Sequence, residues 1–215
     1  MSEKYIVFGA TGSIGSSLAE QLVSSGNSVH LVARNEGELK NISDKLGCTS
    51  TVADVLEDGF IDKVKSDVPE TMGVAYCVGS IDLKPINLIT KKDYLNSFEL
   101  NFFPIIEIIK KFQENLKKNK SSIVLFSTIA VKQGFPNHAI ISPVKASLEG
   151  LTVSLASELS PSIRINCIAP SLSNSKMASK MLRNEKISEA IAKQHPLKRL
   201  GEGYDSAALA KFLLS

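Results

Sequence analysis

Apolar residues along the chain fall into two alternating patterns. Short, continuous apolar runs of strand length are separated by longer segments in which apolar residues recur every three or four positions, as on one face of a helix. Strands that are rich in β-branched residues and alternate with helices predict a parallel sheet with helices on both faces, a three-layer, doubly wound α/β fold. The predicted strands are Tyr5–Phe8, Ser28–Ala33, Cys48–Ala53, Val74–Val78, Ile123–Ser127 and Ile163–Ile168.

The helical spacing predicts four helices between these strands. One begins at Gly15 and another near Glu36, and two longer ones cover Phe102–Leu116 and Val144–Leu159. The two longer helices are apolar around much of their circumference. Packing against the sheet accounts for one apolar face of each, so we expect the other face to support a homodimer.

One long segment, residues 171–194, interrupts the alternation. It begins as a polar loop and then carries apolar residues at loosely helical spacing, which predicts a short helical flap. The flap is apolar enough to admit a hydrophobic carbonyl compound, with core packing of its methionines as the alternative. We find no linker, internal repeat or low-complexity stretch, so we expect residues 1–215 to form a single domain. The apolar residues of the flap are Met177, Met181, Leu182, Ile187 and Ile191.

Composition narrows the class of protein further. The chain has 215 residues, of which 43% are hydrophobic and 22% charged, as in a globular protein in water, and its net charge of +3 is small. The lysines near Lys118 end a helix pattern without interleaved aromatic residues, so we expect no nucleic-acid binding. No apolar run is long enough to span a membrane. The first strand begins within a few residues of Met1, which leaves no room for a signal peptide. A cytoplasmic protein is expected.

The cysteines and histidines are scattered along the chain. Neither residue type shows the spacing of a metal site, so no metal is expected, and the cysteines are interpreted as core thiols in a reducing compartment. The residues are Cys48, Cys77, Cys167, His30, His138 and His195.

A glycine-rich turn joins the first predicted strand to the first helix. Small residues let the backbone approach a phosphate closely, and the free N–H groups of a helix N-terminus face its negative charge. The position of this turn therefore predicts a dinucleotide site, with a plain tight turn as the alternative. Its candidate residues are Gly9, Thr11, Gly12, Ser13, Ile14 and Gly15.

Ligands of such sheets bind at the carboxyl ends of the strands, where the winding direction reverses. The residues that follow each strand are therefore the candidates for a site. After the glycine turn these are Arg34, Asp54, Gly79, Thr128 and Pro170.

In this order, the motifs resemble those of the short-chain dehydrogenase/reductase family, and the resemblance covers nearly the whole chain. Gly9, Gly12 and Gly15 stand in for the family's glycine-rich turn, residues 166–170 resemble its Asn-x-x-x-Pro motif, and residues 195–201 resemble its Pro-x-x-Arg-x-Gly segment. The resemblance implies a Rossmann fold, a nicotinamide dinucleotide cofactor and a small carbonyl or alcohol substrate.

The resemblance also implies which cofactor is bound. Residues 32–35, with Arg34 and Asn35, resemble the end of the second strand in NADP-preferring members. A guanidinium pairs well with a 2′-phosphate, although a solvated surface charge is the alternative for Arg34. Asp54 and Val55 match the acidic dipeptide that meets the adenine amine, Gly79 is the glycine retained after the fourth strand, and Pro170 lies where the backbone meets the nicotinamide.

The catalytic motif of the family is only partly present. Lys145 matches the lysine that binds the ribose, Thr128 matches the serine that steadies the oxyanion, and Asn101, expected to open the long helix, matches the asparagine that holds a relay water. Four positions before Lys145, where the family carries its proton-donating tyrosine, this chain has Ile141. Loss of a positioned acid typically costs about 10²- to 10⁴-fold in rate.

No other residue combines the position and the chemistry of the missing proton donor. His138 has suitable chemistry in a loop expected to rim the site, although a solvated loop histidine is the alternative. Ser142 is expected to cap a helix that begins at Pro143. Two main functions stay open. The first is an NADP(H)-dependent oxidoreductase with an altered proton donor, which is water relayed through Asn101 and Lys145 or is His138. The second is an inactive NADP(H)-binding sensor or interaction protein. A non-redox enzyme on the same fold, such as a dehydratase or epimerase, is a third alternative, and the missing acid counts against it as well.

The end of the chain departs from the family pattern as well. Residues 211–215 fall in what should be the last helix, whereas family members usually continue into a seventh strand. We therefore expect six strands with the seventh missing, or a truncated chain. The sixth strand would then form an edge that has to be covered or blunted.

Overall fold

A computed structural model of the protein describes residues 4–179, 182 and 184–215. Its strands form one parallel sheet in the order β3-β2-β1-β4-β5-β6, which confirms the doubly wound α/β fold, with six strands in the described part of the chain. The chain crosses from one half of the sheet to the other between β3 and β4. The strands are β1 (Lys4–Phe8), β2 (Val29–Ala33), β3 (Thr49–Val52), β4 (Thr71–Tyr76), β5 (Ser122–Phe126) and β6 (Arg164–Ile168).

Helices cover both faces of the sheet. The layer of α3, α5 and α7 packs on one face, and the layer of α1, α2 and α9 packs on the other. The helices are α1 (Ser13–Ser24), α2 (Glu36–Leu46), α3 (Phe60–Asp67), α4 (Lys91–Asn101), α5 (Phe103–Lys118), α6 (Ala130–Gln133), α7 (Ile141–Leu159), α8 (Glu185–Gln194) and α9 (Gly203–Leu214).

The continuous apolar runs of the strands follow from this arrangement. Successive side chains of a strand point to opposite faces, so a strand between two helix layers needs apolar residues at every position. In β1, Ile6 and Phe8 belong to the core beneath α3, α5 and α7, whereas Val7 belongs to the core beneath α1, α2 and α9. All three side chains are fully buried.

Several predicted boundaries are wrong. Asn101 does not open the long helix but is the last residue of α4, a helix that the apolar spacing does not reveal. This helix begins with a capping box in which the Thr90 hydroxyl accepts from the Asp93 N–H and the Asp93 carboxylate accepts from the Thr90 N–H. The helix that carries Lys145 begins at Ile141 rather than near Val144.

The outer face of α5 also differs from expectation. Its apolar residues are concentrated on the face that packs against the sheet, and its solvent face is mainly charged. Phe103, at the start of the helix, is the exposed apolar exception. The predicted second apolar face is therefore wrong for α5, whereas α7 presents small and apolar residues outward, such as Gly150 and Val153.

The segment predicted as a flap contains a loop and the helix α8. Lys176 of the loop pairs with Glu38 of α2 at 2.7 Å, so the loop crosses to the other half of the sheet. Met181 lies outside the described residues. Within the described part of the chain no helix is long and apolar enough to cross a membrane, and no group of three or more potential metal ligands occurs.

Candidate cofactor and active site

The glycine turn after β1 has no room for side chains at two of its positions. Gly9 has a φ of +73°, and a Cβ built there would lie 2.9 Å from the backbone of Cys77 and Val78. A Cβ at Gly15 would lie 2.4 Å from the Gly9 carbonyl oxygen. The turn therefore packs directly against the start of the loop after β4, and only glycine fits.

The start of α1 leaves its amides available to a ligand. Gly12 precedes the helix and supplies no side-chain oxygen to cap it, and Thr11 is half-buried in the turn. The Ser13 hydroxyl donates to the carbonyl of Asn174 at 3.3 Å, so it faces the loop after β6. First-turn N–H groups have no acceptor within their own helix, and Ser13, Ile14 and Gly15 carry them here. This cradle fits a pyrophosphate.

The ends of β2 and β3 form a second, more exposed region. Arg34 is 73% exposed and its Nη1 lies 3.7 Å from Asp54 Oδ2. One long contact leaves most of its N–H donors available to an anion. The Asn35 side chain accepts from the Glu38 N–H and so caps α2, a role that the sequence analysis did not give it. Val55 is buried behind Asp54.

A cavity of about 540 Å³ lies at the carboxyl ends of β4, β5 and β6. This volume is typical of small-molecule sites. The structure brings together there several of the predicted site residues. Outside the lining lie Asn101, the glycine turn apart from Ile14, and Arg34, Asn35, Asp54 and Val55. The predicted residues that line the cavity are Ile14, Gly79, Thr128, His138, Lys145 and Pro170.

Lys145 is the buried cation of this cavity. Lys145 is 8% exposed, and burial lowers its pKa to about 8. Among the described residues no carboxylate lies within ion-pair distance of it. The thiol of Cys77 is close enough to interact with it electrostatically, and burial raises the pKa of that thiol to about 12.

The side chains of Lys145 and Asn101 both lie against Gly79. A Cβ at Gly79 would lie 3.1 Å from Lys145 Nζ and 3.0 Å from Asn101 Oδ1, so the missing side chain makes room for both. Asn101 is fully buried, and its Nδ2 donates to the Ser97 carbonyl at 2.9 Å. Its position at the end of α4 therefore aims the amide at the cavity wall.

Ile141 occupies the helical turn before Lys145. It is 3% exposed and lines the cavity, so a hydrocarbon side chain occupies the position at which the family resemblance predicts a proton-donating tyrosine. None of the four tyrosines lines this cavity. Tyr76 donates to the Leu100 carbonyl, and burial raises its pKa, while Tyr94 donates to the Ala139 carbonyl.

The remaining candidates lie between the end of β5 and the first turn of α7. Thr128 is half-buried in the cavity wall, and its hydroxyl accepts from the Ala130 N–H at 3.3 Å. His138 Nδ1 lies 2.8 Å from the Pro136 carbonyl, which fixes the ring with Nδ1 as donor. Ser142 does not cap α7, because it lies inside the helix and its hydroxyl donates to the Ala130 carbonyl.

Two polar residues after β4, Ser80 and Asp82, were not predicted from the sequence. Ser80 lines the cavity directly after Gly79, and its hydroxyl donates to Asp82. The only signal in the sequence was their place after β4, because Asn101, which forms hydrogen bonds with Ser80, lies 21 positions further along the chain.

Known proteins with similar sequences and structures define the class. Fold and glycine turn are those of a dinucleotide-binding protein, and a family model described as enoyl-(acyl carrier protein) reductase matches residues 9–215. Tropinone reductase-like 3 from Erythroxylum coca is 30% identical over 222 aligned residues, which cover 98% of this chain and 85% of that protein. A 3-oxoacyl-[acyl-carrier-protein] reductase from Rickettsia felis is 28% identical, with 98% and 88% covered.

A solved structure is similar to the protein along the whole chain. The short-chain type dehydrogenase/reductase from Mycobacterium ulcerans superimposes with a TM-score of 0.90 at 26% identity, covering 100% of this chain and 85% of that one. The chain belongs to the short-chain dehydrogenase/reductase family, whose members use a nicotinamide cofactor.

Proposed function

We propose that this protein is an NADP(H)-dependent oxidoreductase that interconverts a small carbonyl compound and its alcohol, with an altered proton donor. The observation that carries the proposal is the meeting of Lys145 and Asn101 at Gly79, because Gly79 and Lys145 line the same cavity as Thr128. The names of the two relatives, a tropinone reductase-like protein and a 3-oxoacyl reductase, support a carbonyl substrate.

The cofactor would lie across the carboxyl ends of the strands. The turn from Gly9 to Gly15 would hold its pyrophosphate, and Arg34 with Asn35 would hold the 2′-phosphate. Asp54 and Val55 would border the adenine, while Gly79 and Pro170 would border the nicotinamide. When bound, the cofactor supplies or accepts the hydride.

The chain's own residues would then handle the substrate oxygen. The Thr128 hydroxyl steadies negative charge that develops on it, and Lys145 binds the ribose hydroxyls and adds positive charge nearby. Ile141 excludes water from one side of the cavity without offering a proton. The proton has to come by another route, and the candidates that the sequence offered are water relayed through Asn101 and Lys145, and His138.

Two measurements test this function. Fluorescence titration with NADPH, NADP, NADH and NAD should show tighter binding of the phosphorylated pair. NADPH oxidation should then occur with at least one member of a carbonyl panel that includes cyclohexanone, and Lys145→Ala should abolish it. Absence of turnover across the panel would contradict the proposed activity.

Ile141 favours a second candidate, an inactive NADP(H)-binding sensor or interaction protein. For that function we expect tight NADPH binding without turnover, and a change of oligomeric state or partner affinity on binding. The Ile141→Tyr variant tests the register of the site, because a phenol at this turn would lie beside Thr128 and Lys145. Its reductase activity should appear or rise if the site is otherwise intact, whereas turnover by the unmodified protein excludes the sensor.

The proposed function includes a cellular location, a domain organisation and an oligomeric state. We propose a cytoplasmic protein in which residues 1–215 act as one domain, with the segment 171–194 as a flap over the substrate. A homodimer would form through the outward face of α7, because the outward face of α5 is mainly charged.

A further inference from the structure

Ser80 and Asp82 form a hydrogen-bonded pair directly after Gly79. The Ser80 hydroxyl donates to Asp82 Oδ2 at 2.6 Å and accepts from Asn101 Nδ2 at 3.2 Å. The backbone N–H of Ser80 also donates to Asn101 Oδ1 at 3.3 Å. The buried Asn101 therefore fixes both the backbone and the hydroxyl of Ser80, and the oxygen of that hydroxyl has a defined place.

This pair lies between two cavities. Ser80 lines the cavity that holds Thr128 and Lys145, and it also lines a second cavity of about 570 Å³. Asp82 lines only the second one. Ser80 therefore borders the substrate side, while Asp82, to which it donates, borders the second cavity, where a carboxylate can exchange protons with water.

The other charged residues of the second cavity do not interact with Asp82. Lys84 and Asp93 line this cavity too, and they pair with each other at 2.8 Å. Among the described residues Asp82 takes part in no ion pair, and the side-chain donor that it accepts from is Ser80. The carboxylate is thus placed as the proton acceptor of one hydroxyl.

We infer that Ser80 exchanges the proton with the substrate oxygen and that Asp82 positions Ser80 and acts as its proton reservoir. The inference rests on the proposed function and names its missing acid and base. In alcohol oxidation, the hydride passes from the carbinol carbon to NADP, the hydroxyl proton of the substrate moves to Ser80 Oγ, and the proton of Ser80 moves to Asp82. Reduction runs in reverse, with Asp82 protonated from water in the second cavity.

This route explains how the site functions with Ile141 in place. A serine hydroxyl alone is a poor acid or base, but a carboxylate within hydrogen-bond distance accepts its proton as it gains one from the substrate. His138 is less suited, because its Nδ1 donates to the Pro136 carbonyl and no carboxylate among the described residues forms a hydrogen bond with its ring.

The kinetic test compares four variants of the full chain. Ser80→Ala and Asp82→Asn should each lower kcat for alcohol oxidation by about 10²-fold, a typical effect of losing a positioned acid or base. Ser80→Thr should retain most of the activity. Asp44→Asn, which removes an exposed carboxylate on α2, is the charge-matched control and should match the unmodified protein. NADP affinity, measured by fluorescence titration, should change less than twofold in all four.

A second readout needs no cofactor and no turnover. Cyclohexanone labelled with ¹³C at its carbonyl is bound to the cofactor-free protein, and its C=O stretch is recorded in the infrared. A hydrogen bond from Ser80 should lower the frequency, and Ser80→Ala should lose that shift. Because Asn101 keeps its bond to the Ser97 carbonyl in this variant, we expect the fold to be unchanged, which urea unfolding checks.

The outcomes are distinguishable. Turnover that Ser80→Ala leaves intact, turnover that only His138→Gln abolishes, or a carbonyl stretch that does not depend on Ser80 overturns the role of Ser80 while the oxidoreductase proposal stands. Failure to observe any turnover of the panel by the unmodified protein overturns both.

Discussion

A buried histidine shows how single residues are fixed by their hydrogen-bond partners. His30 of β2 is 1% exposed, and its Nδ1 and Nε2 each lie 2.8 Å from a threonine hydroxyl, that of Thr49 and that of Thr51. Thr51 donates to Asp67 and Thr49 accepts from Lys4. The directions of these bonds place the histidine proton on Nε2, so the neutral ring is satisfied at both nitrogens. Burial, with Lys4 nearby, lowers the pKa of His30 to about 4, although Asp67 opposes the shift.

This shift predicts how stability depends on pH. Between the unfolded pKa of 6.5 and the folded pKa of about 4, the unfolded chain binds a proton that the native ring does not, so stability falls as the pH is lowered through this range. The contribution is up to about 3 kcal/mol. His30→Gln keeps the bond to Thr51 without titrating. Urea unfolding at pH 7 and pH 4 should show the advantage of the unmodified protein over this variant shrink by that amount, and a pH-independent difference would contradict the assignment.

Arg34 carries a prediction about cofactor choice. Its guanidinium is largely exposed and makes one long contact with Asp54, so it can turn toward a 2′-phosphate. Arg34→Ala should weaken NADPH binding by about tenfold or more, the value of a charge-assisted hydrogen bond, and leave NADH binding unchanged. Lys40→Ala removes another exposed charge on the neighbouring helix and is the control. Equal losses for NADPH and NADH would show that Arg34 does not recognise the phosphate.

The chemistry of these residues was predictable from sequence to different degrees. Lys145 and Ile141 lie one helical turn apart, so their shared face follows from spacing alone, and the structure shows both in one cavity. Ser80, Asp82 and Asn101 meet through a loop and the end of a helix. Periodicity contains no information on such contacts, and the pair of Ser80 and Asp82 was missed for that reason.

At the scale of elements, close contact between α1 and α9 depends on one glycine. Gly203 is the first residue of α9, and a Cβ there would lie 2.3 Å from the carbonyl oxygen of Ser13 at the start of α1. Because Ser13 belongs to the proposed pyrophosphate cradle, α9 supports the position of that cradle from behind.

Two glycine-to-alanine substitutions test this contact. Gly203→Ala should lower the free energy of unfolding by about 1–3 kcal/mol through overpacking and should weaken NADPH binding, because the start of α1 is displaced. Gly150 lies exposed in the middle of α7 with no heavy atom within 4 Å of a Cβ built there. Gly150→Ala should therefore stabilise the protein by about 0.5–1 kcal/mol. Urea unfolding of both variants gives the comparison, and equal effects would show that the close approach has no energetic weight.

Sequence patterns predicted strands better than helix boundaries. A strand buried on both faces needs consecutive apolar residues, so β1 and β5 were found almost to the residue. The helix α4 was missed because its residues are mainly polar and it packs on α5 and α7 rather than on the sheet. Its capping box at Thr90 was the available signal.

At the scale of the whole molecule, exposed apolar residues are spread over several surfaces, and the dimer proposal selects one. Val153 of α7 is 73% exposed and Phe212 of α9 is 72% exposed, so the two are matched in solvent exposure but lie on helices of opposite layers. If copies pair through α7, an arginine at Val153 places two like charges against each other in a desolvated contact, which costs several kcal/mol.

Sedimentation equilibrium decides between the two surfaces. Val153→Arg should convert the dimer to a monomer, and Phe212→Arg should leave the mass of a dimer unchanged. The reverse result would move the interface to α9, and a monomeric unmodified protein would remove the dimer from the proposal. The NADPH affinity of the monomeric variant also tests whether pairing affects the cofactor site, because Lys145 lies on the same helix as Val153. Unchanged affinity would show that each subunit holds a complete site, whereas a loss would show that pairing along α7 keeps Lys145 in position.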